Sequence, residues 1–168
     1  MGKITAGSLT IGDGSNGNIT VEGVSSTDSD QFGLVTLNAT ASGSSVTFET
    51  TDSFFQGLTV NAADGITISS NLTTNGTTSF NSDSNATGIG DFILSSSLST
   101  TNNALSVTAN GLVLTGTLSS GTAGTTILAS QATSTIGLGA SNCGGTCGIS
   151  LTSTELGKIT AGSLTIGD

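Results

Sequence analysis

The chain has no proline, tryptophan, tyrosine or histidine, and its only basic residues are Lys3 and Lys158. Each absence excludes something. With no histidine and only two cysteines, Cys143 and Cys147, the ordinary zinc ligand sets cannot be assembled. Without histidine there is no Ser-His-acid triad. Polysaccharide cleavage on a β-scaffold pairs carboxylates across a groove, often with Arg, Lys or Tyr. Here the acids Asp13, Glu22, Glu49, Asp52, Asp64, Asp83, Asp91 and Glu155 fall singly at strand ends, as solvated turn residues do. The expectation is a protein that is not an enzyme.

Eleven acidic residues against two basic ones give a net charge of −9. Neutralising phosphates takes Lys or Arg, so a nucleic-acid partner is not expected, nor is attraction to an anionic membrane surface. No run approaches the roughly 18 apolar residues of a spanning helix, so membrane insertion is not expected. Met1 leads straight into patterned sequence with no secretory leader, and export is expected to be directed from elsewhere. Proline is also the residue that strands pairing on both edges tolerate least, so its absence fits a continuous sheet. Charged residues are 8% of the chain, against about 25% in an average soluble domain. Low charge with positive mean hydropathy is not the signature of disorder.

What is present is repetition. Residues 2–13 read Gly-Lys-Ile-Thr-Ala-Gly-Ser-Leu-Thr-Ile-Gly-Asp, and residues 157–168 read the same, an offset of 157 − 2 = 155 residues. The chain therefore reads as a single segment, 1–168, holding one 155-residue tandem unit plus its overlap, with Met1 standing where the unit has Leu156.

Within the unit, short alternating triplets recur: Leu9-Thr10-Ile11, Ile19-Thr20-Val21, Val35-Thr36-Leu37, Val46-Thr47-Phe48, Leu58-Thr59-Val60, Ile66-Thr67-Ile68, Leu105-Ser106-Val107 and others like them. A period of two puts the apolar pair on one face and the hydroxyl on the other, and β-branched residues favour strand. No helical stripe appears. Gly, Asn, Asp and Ser separate the triplets and suit tight corners.

Winding starts near Leu9, Leu34, Leu58, Thr78, Leu105, Ile127, Ile149 and Leu164 give seven steps of roughly 22 residues, the period of a parallel β-solenoid. Seven coils would rise about 34 Å per unit. Insertions are expected at 25–31 and 81–90. Phe48, Phe80 and Phe92 are expected inside, and of Phe54 and Phe55 either one faces out or the two straddle a corner. An antiparallel sandwich, the competing architecture, does not explain near-equal steps that close on the 155-residue identity.

The overlap sequence, together with Gly17-Asn18-Ile19-Thr20-Val21, Leu58-Thr59-Val60-Asn61-Ala62-Ala63-Asp64-Gly65-Ile66-Thr67-Ile68 and Thr135-Ile136-Gly137-Leu138-Gly139, resembles the repeats of large secreted bacterial adhesins of the filamentous haemagglutinin type. That resemblance implies a right-handed parallel β-helix, secretion to the cell surface, and service as a fibre or adhesive stalk, with no catalytic residues. The cysteines depart from the cysteine-poor pattern of such repeats.

The functional expectation is a structural module of an extracellular fibre whose copies stack end to end. One alternative is a module that binds surface glycans or a host ligand through loops 25–31 and 81–90. Another is ice binding by outward rows of Thr10, Thr20, Thr36, Thr47, Thr59, Thr67 and Thr165. No cofactor is expected. Calcium has weak candidate ligands in Asp13, Asp28 and Asp30, in loops that match neither the EF-hand pattern nor the glycine-rich nonapeptide array. Cys143 and Cys147 form either a short-loop disulfide at a turn or a pair of free thiols.

Overall fold

A computed structural model describes residues 4–139 and 147–167. The chain winds into a column of parallel strands. Its first coil holds β1 (Ser8–Ile11), β2 (Ile19–Val21) and a short helix α1 (Ser26–Ser29). Four coils of three strands follow. They are β3 (Leu34–Ala39), β4 (Val46–Phe48) and β5 (Ser53–Phe55), then β6 (Leu58–Ala62), β7 (Ile66–Ile68) and β8 (Leu72–Thr74). Above these lie β9 (Thr78–Asn81), β10 (Phe92–Leu94) and β11 (Ser97–Ser99), then β12 (Leu105–Ala109), β13 (Leu112–Leu114) and β14 (Thr117–Ser119). The last stretch carries β15 (Gly124–Ala129), β16 (Ile136–Leu138), β17 (Ile149–Leu151), α2 (Ser153–Leu156), β18 (Ile159–Thr160) and β19 (Ser163–Ile166).

These strands stack into three faces. Face A runs β1-β3-β6-β9-β12-β15-β19, face B runs β2-β4-β7-β10-β13, and face C runs β5-β8-β11-β14-β18. Strands β16 and β17 form a separate parallel pair. All three faces coexist over about five turns, and every pairing among the described residues is parallel, which excludes the sandwich of hairpins.

The triplets fold this way because each strand buries one side only. Inward rows run the height of face A: Leu9, Val35, Leu58, Thr78, Leu105, Thr125 and Leu164 in one, and Ile11, Leu37, Val60, Phe80, Val107, Ile127 and Ile166 in the other. Face B contributes Val21, Phe48, Ile68, Leu94 and Leu114 in register, and face C contributes Ser53, Leu72, Leu98, Leu118 and Ile159. A three-residue strand cannot bury itself, but here each apolar side chain is covered from above and below. Phe48 and Phe55 meet edge to face at 6.4 Å, and Phe80 and Phe92 lie 5.2 Å apart. Phe55 is buried while Phe54 faces outward, as the alternation requires.

The register corrects the winding count. Successive face A strands are offset by 26, 23, 20, 27, 20 and 39 residues, which carries Ser8 to its repeat equivalent Ser163. The unit therefore has six windings, not seven of roughly 22 residues, and averages about 26 residues for each. Ile149 is the misassigned start. It belongs to β17, on the last and longest winding, and not to face A. The 26- and 27-residue windings contain the expected insertions 25–31 and 81–90.

Corners are held by side chains that bond from one coil to the next. The Asn71 N–H and Nδ2 donate to the two carboxylate oxygens of Asp52, at 3.0 and 2.9 Å, while its Oδ1 accepts from Ser96 Oγ at 2.7 Å. Asn102 Oδ1 accepts from the N–H of Thr122 at 3.0 Å, and Asn18 Oδ1 from that of Ser45 at 3.0 Å. Gly12 and its repeat equivalent Gly167 both leave face A with positive φ, +86° and +89°, a turn that a Cβ would strain.

Because inward and outward positions alternate, adjacent substitutions should behave differently. Leu98→Ala, at a fully buried position, should lower the unfolding free energy by about 2–5 kcal/mol. Ser99→Ala, on the outward side of the same strand, should change it by no more than about 0.5 kcal/mol. Denaturant unfolding of the two variants measures the contrast.

Candidate functional site

In a column of this kind three places can act: the outward rows, the corner loops and the two ends. On face A the outward positions Thr10, Thr36, Thr59, Ser79, Ser106, Thr126 and Thr165 stand in one unbroken file of hydroxyls. Beside it, Asn38, Asn61 and Asn81 stack in register, and Asn61 Nδ2 donates to Asn38 Oδ1 at 2.9 Å. The other three expected threonines, Thr20, Thr47 and Thr67, lie on face B, where the file continues as Ile93 and the exposed Val113. The seven threonines therefore occupy two faces. Sequence reading did not find the serines that complete the file on face A, although the period of two marks them once the register is known.

The loop after β9 is built around Asp83. Its side chain is 2% exposed. Oδ1 accepts from the Thr87 N–H at 3.0 Å, and Oδ2 accepts from the Gly88 N–H at 3.0 Å. Oδ2 also accepts from Ser130 Oγ at 2.5 Å and Gln131 Nε2 at 3.3 Å, the two residues that follow β15. Burial alone would raise this pKa, but the hydrogen bonds from Ser130, Gly88, Gln131 and Thr87 outweigh it and hold the carboxyl below its ordinary value. Asp83 is thus a clamp that shapes its own loop and ties it to a loop higher in the column.

A second carboxylate sits where face B ends. At β13 the Leu114 N–H donates to Glu155 Oε1 at 3.3 Å, and the Leu114 carbonyl accepts from Lys158 Nζ at 3.1 Å. Glu155 also closes the capping box of α2, accepting from the Thr152 N–H and Oγ1 at 2.9 Å each. Desolvation opposes its ionisation, yet the bonds from Thr152 and Leu114 and the nearby Lys158 charge keep its pKa below the ordinary value. Side chains here replace the strand-to-strand ladder, so β17 lies beside β13 without extending face B.

The calcium candidates serve local turns. Asp13 Oδ1 accepts from the Ser15 N–H at 2.7 Å in the β1–β2 corner. Asp28 Oδ2 accepts from Ser25 Oγ at 2.6 Å at the start of α1, and Asp30 Oδ1 accepts from Gln31 Nε2 at 2.8 Å. Among the described residues no group of three or more His, Cys, Asp or Glu converges. Cys147 is disulfide-bonded; Cys143 lies outside the described residues.

At the two ends the inward rows stop uncovered. Ile11 is 37% exposed at one end, where it lines an apolar cleft with Ile19, Val21 and Leu37. Leu138 and Leu164 are 55% and 39% exposed at the other. Face A terminates in β1 at one end and in β19 at the other, and both strands read Ser-Leu-Thr-Ile.

No family model matches the chain, and neither a curated protein nor a solved structure matches it.

The Asp83 clamp gives a pH test. A carboxyl whose pKa is lowered on folding stabilises the fold above its unfolded value and loses that contribution as pH falls through the folded one. Asp83→Asn should cost about 1–3 kcal/mol at pH 7, the worth of hydrogen bonds to a charged group. The gap between variant and parent should narrow steadily below the ordinary value of 3.8. Denaturant titrations across the acid range measure it; a gap independent of pH would mean that the carboxylate charge does not hold the loop.

Proposed function

We propose that this chain is a structural repeat module of a secreted, cell-surface fibre of the adhesin kind, in which successive units continue one column. The observation that carries this reading is the placement of the repeated sequence. Residues 8–11 and 163–166 are identical, lie on the same face, and stand six windings apart at opposite ends of that face. A following unit can therefore begin on β19 as this one begins on β1, with no change of register. Repetition of this sort supplies length and stiffness and requires no chemistry.

The exterior location is supported by composition. A disulfide-bonded Cys147 suits an oxidising compartment, and a surface of hydroxyls and amides with net charge −9 keeps a long column soluble. No helix among the described residues is long and apolar enough to cross a membrane. The partners of this reading are neighbouring copies of the unit, with neither nucleic acid nor an inserted membrane segment.

A second reading has one observation behind it, the seven-membered hydroxyl file on face A. Its regular spacing suits a periodic ligand, either ice or a glycan chain. Thermal hysteresis and a glycan array carried out on the isolated chain test it; a response in either promotes this reading, and silence in both leaves the fibre role alone.

Proteins of one, two and three units test the main proposal. Six windings at the strand spacing rise about 29 Å per unit. Small-angle scattering should show length growing by that increment at constant cross-section. A cross-section radius that grows with unit number, or a bent string of separate bodies, would overturn the shared column.

A further inference from the structure

The segment between β15 and β17 does not stay on its own coil. Strand β17 lies next to β13, and its Ile149 and Leu151 are fully buried. Strand β16 precedes it in sequence but lies beyond it in space, pairing Ile136 with Ile149 and Leu138 with Leu151. That puts β16 one level higher, beside the end of β19. A Cβ on Gly167 would approach Ile136 Cδ1 to 2.8 Å, whereas at the repeat-equivalent Gly12 it meets Asn38 and Asn16 instead. Strand β16 thus occupies the second side of a coil whose first side is β19.

In the first coil that same position, after β1, belongs to β2. A unit that continues from β19 must deliver its own Ile19-Thr20-Val21 to the place now filled by Ile136-Gly137-Leu138. The incoming strand is the better occupant. It alternates two inward apolar residues with an outward threonine, as β4 and β7 do, and it is joined to β19 by the same residues that join β2 to β1. Strand β16 offers Gly at its centre, which weakens a strand, and leaves Leu138 more than half exposed.

We propose that the outer edge of β17 is the docking site for β2 of the following unit, and that β16 is a removable cap that covers this edge only while no unit follows. This rests on the continuous-column reading above. Its content is specific: at every internal junction Ile19–Val21 of one unit pairs with Ile149–Leu151 of the preceding unit, and residues 136–138 leave the sheet. The chain then has one device for two states, a closed end and an open junction.

Amide exchange separates these states. Gly139 N–H donates to Leu151 O at 2.9 Å only while β16 is docked, and Gly148 N–H, on the β17 side, donates to Thr135 O at 3.0 Å. The experiment uses a one-unit chain and a two-unit protein whose first unit alone is isotopically labelled by protein ligation. On adding the second unit, the Gly139 amide of the first should exchange roughly a hundredfold faster, because its protecting bond is lost. The Gly148 amide should remain slow, since the incoming strand supplies a carbonyl in place of Thr135. Equal protection of Gly139 in both proteins would overturn the proposal, with β16 keeping its place. Scattering from the same two-unit protein separates the two levels. A doubled length with Gly139 still protected leaves the column and removes the cap, whereas two unaligned bodies remove both.

Discussion

Everything in this molecule depends on vertical register. A strand of three residues has no stability of its own, so each Ile, Val, Leu or Phe is buried only if the strands above and below present an inward residue at the same height along the coil, apolar or, as at Thr78 and Thr125, a buried hydroxyl. A slip of one residue would turn that winding's apolar pair to solvent and its threonine inward. The lengths of the windings, from 20 to 39 residues, vary widely while the register of face A does not. Most of the variation is absorbed at corners, where Asp52, Asn71, Asn18 and Asn102 bond to the next coil and hold the turn while the loop beyond it is free to differ, and the longest winding also carries the extra strand β16.

This division explains what could be read from the sequence. The triplets, the direction of their faces, the parallel architecture and the two shorter insertions were legible, because alternation is a local signal and the identity of 2–13 with 157–168 fixes the overall period. The winding count was not. Ile149-Ser150-Leu151 carries the same alternation as a face A strand, and nothing local tells a strand of one face from a strand of another. Only the register, in which Gly124 pairs with Ser163, keeps it off face A, and its contact with β13 puts it next to face B. The calcium candidates Asp13, Asp28 and Asp30 each accept a hydrogen bond from a residue one to three positions away, the kind of local contact that spacing along the chain does reveal.

Long-range polar contacts were out of reach for a different reason. Asp83 looks like any other isolated acid in the sequence, yet it meets Ser130 and Gln131. Glu155 reads as a single solvated turn residue, yet it and Lys158, three residues on, satisfy the backbone of Leu114. In both cases a charged group stands in for backbone pairing where the chain departs from the regular ladder. Spacing along the chain does not encode such a role. The departure from the ladder, which becomes visible only in three dimensions, is its signature.

The unit closes on a whole number of windings, with Ser8 and Ser163 on one face. A fractional closure would rotate each copy about the axis and scatter its loops around the shaft. In a continuous column of such units, integral closure would bring the Asp83 loop of every copy back to the same side, offset only by the gentle twist of the sheets. A polymer of such units would present one stripe of identical loops at regular intervals, and feeble individual affinities along it would combine into firm attachment wherever a target surface carries many copies of its ligand.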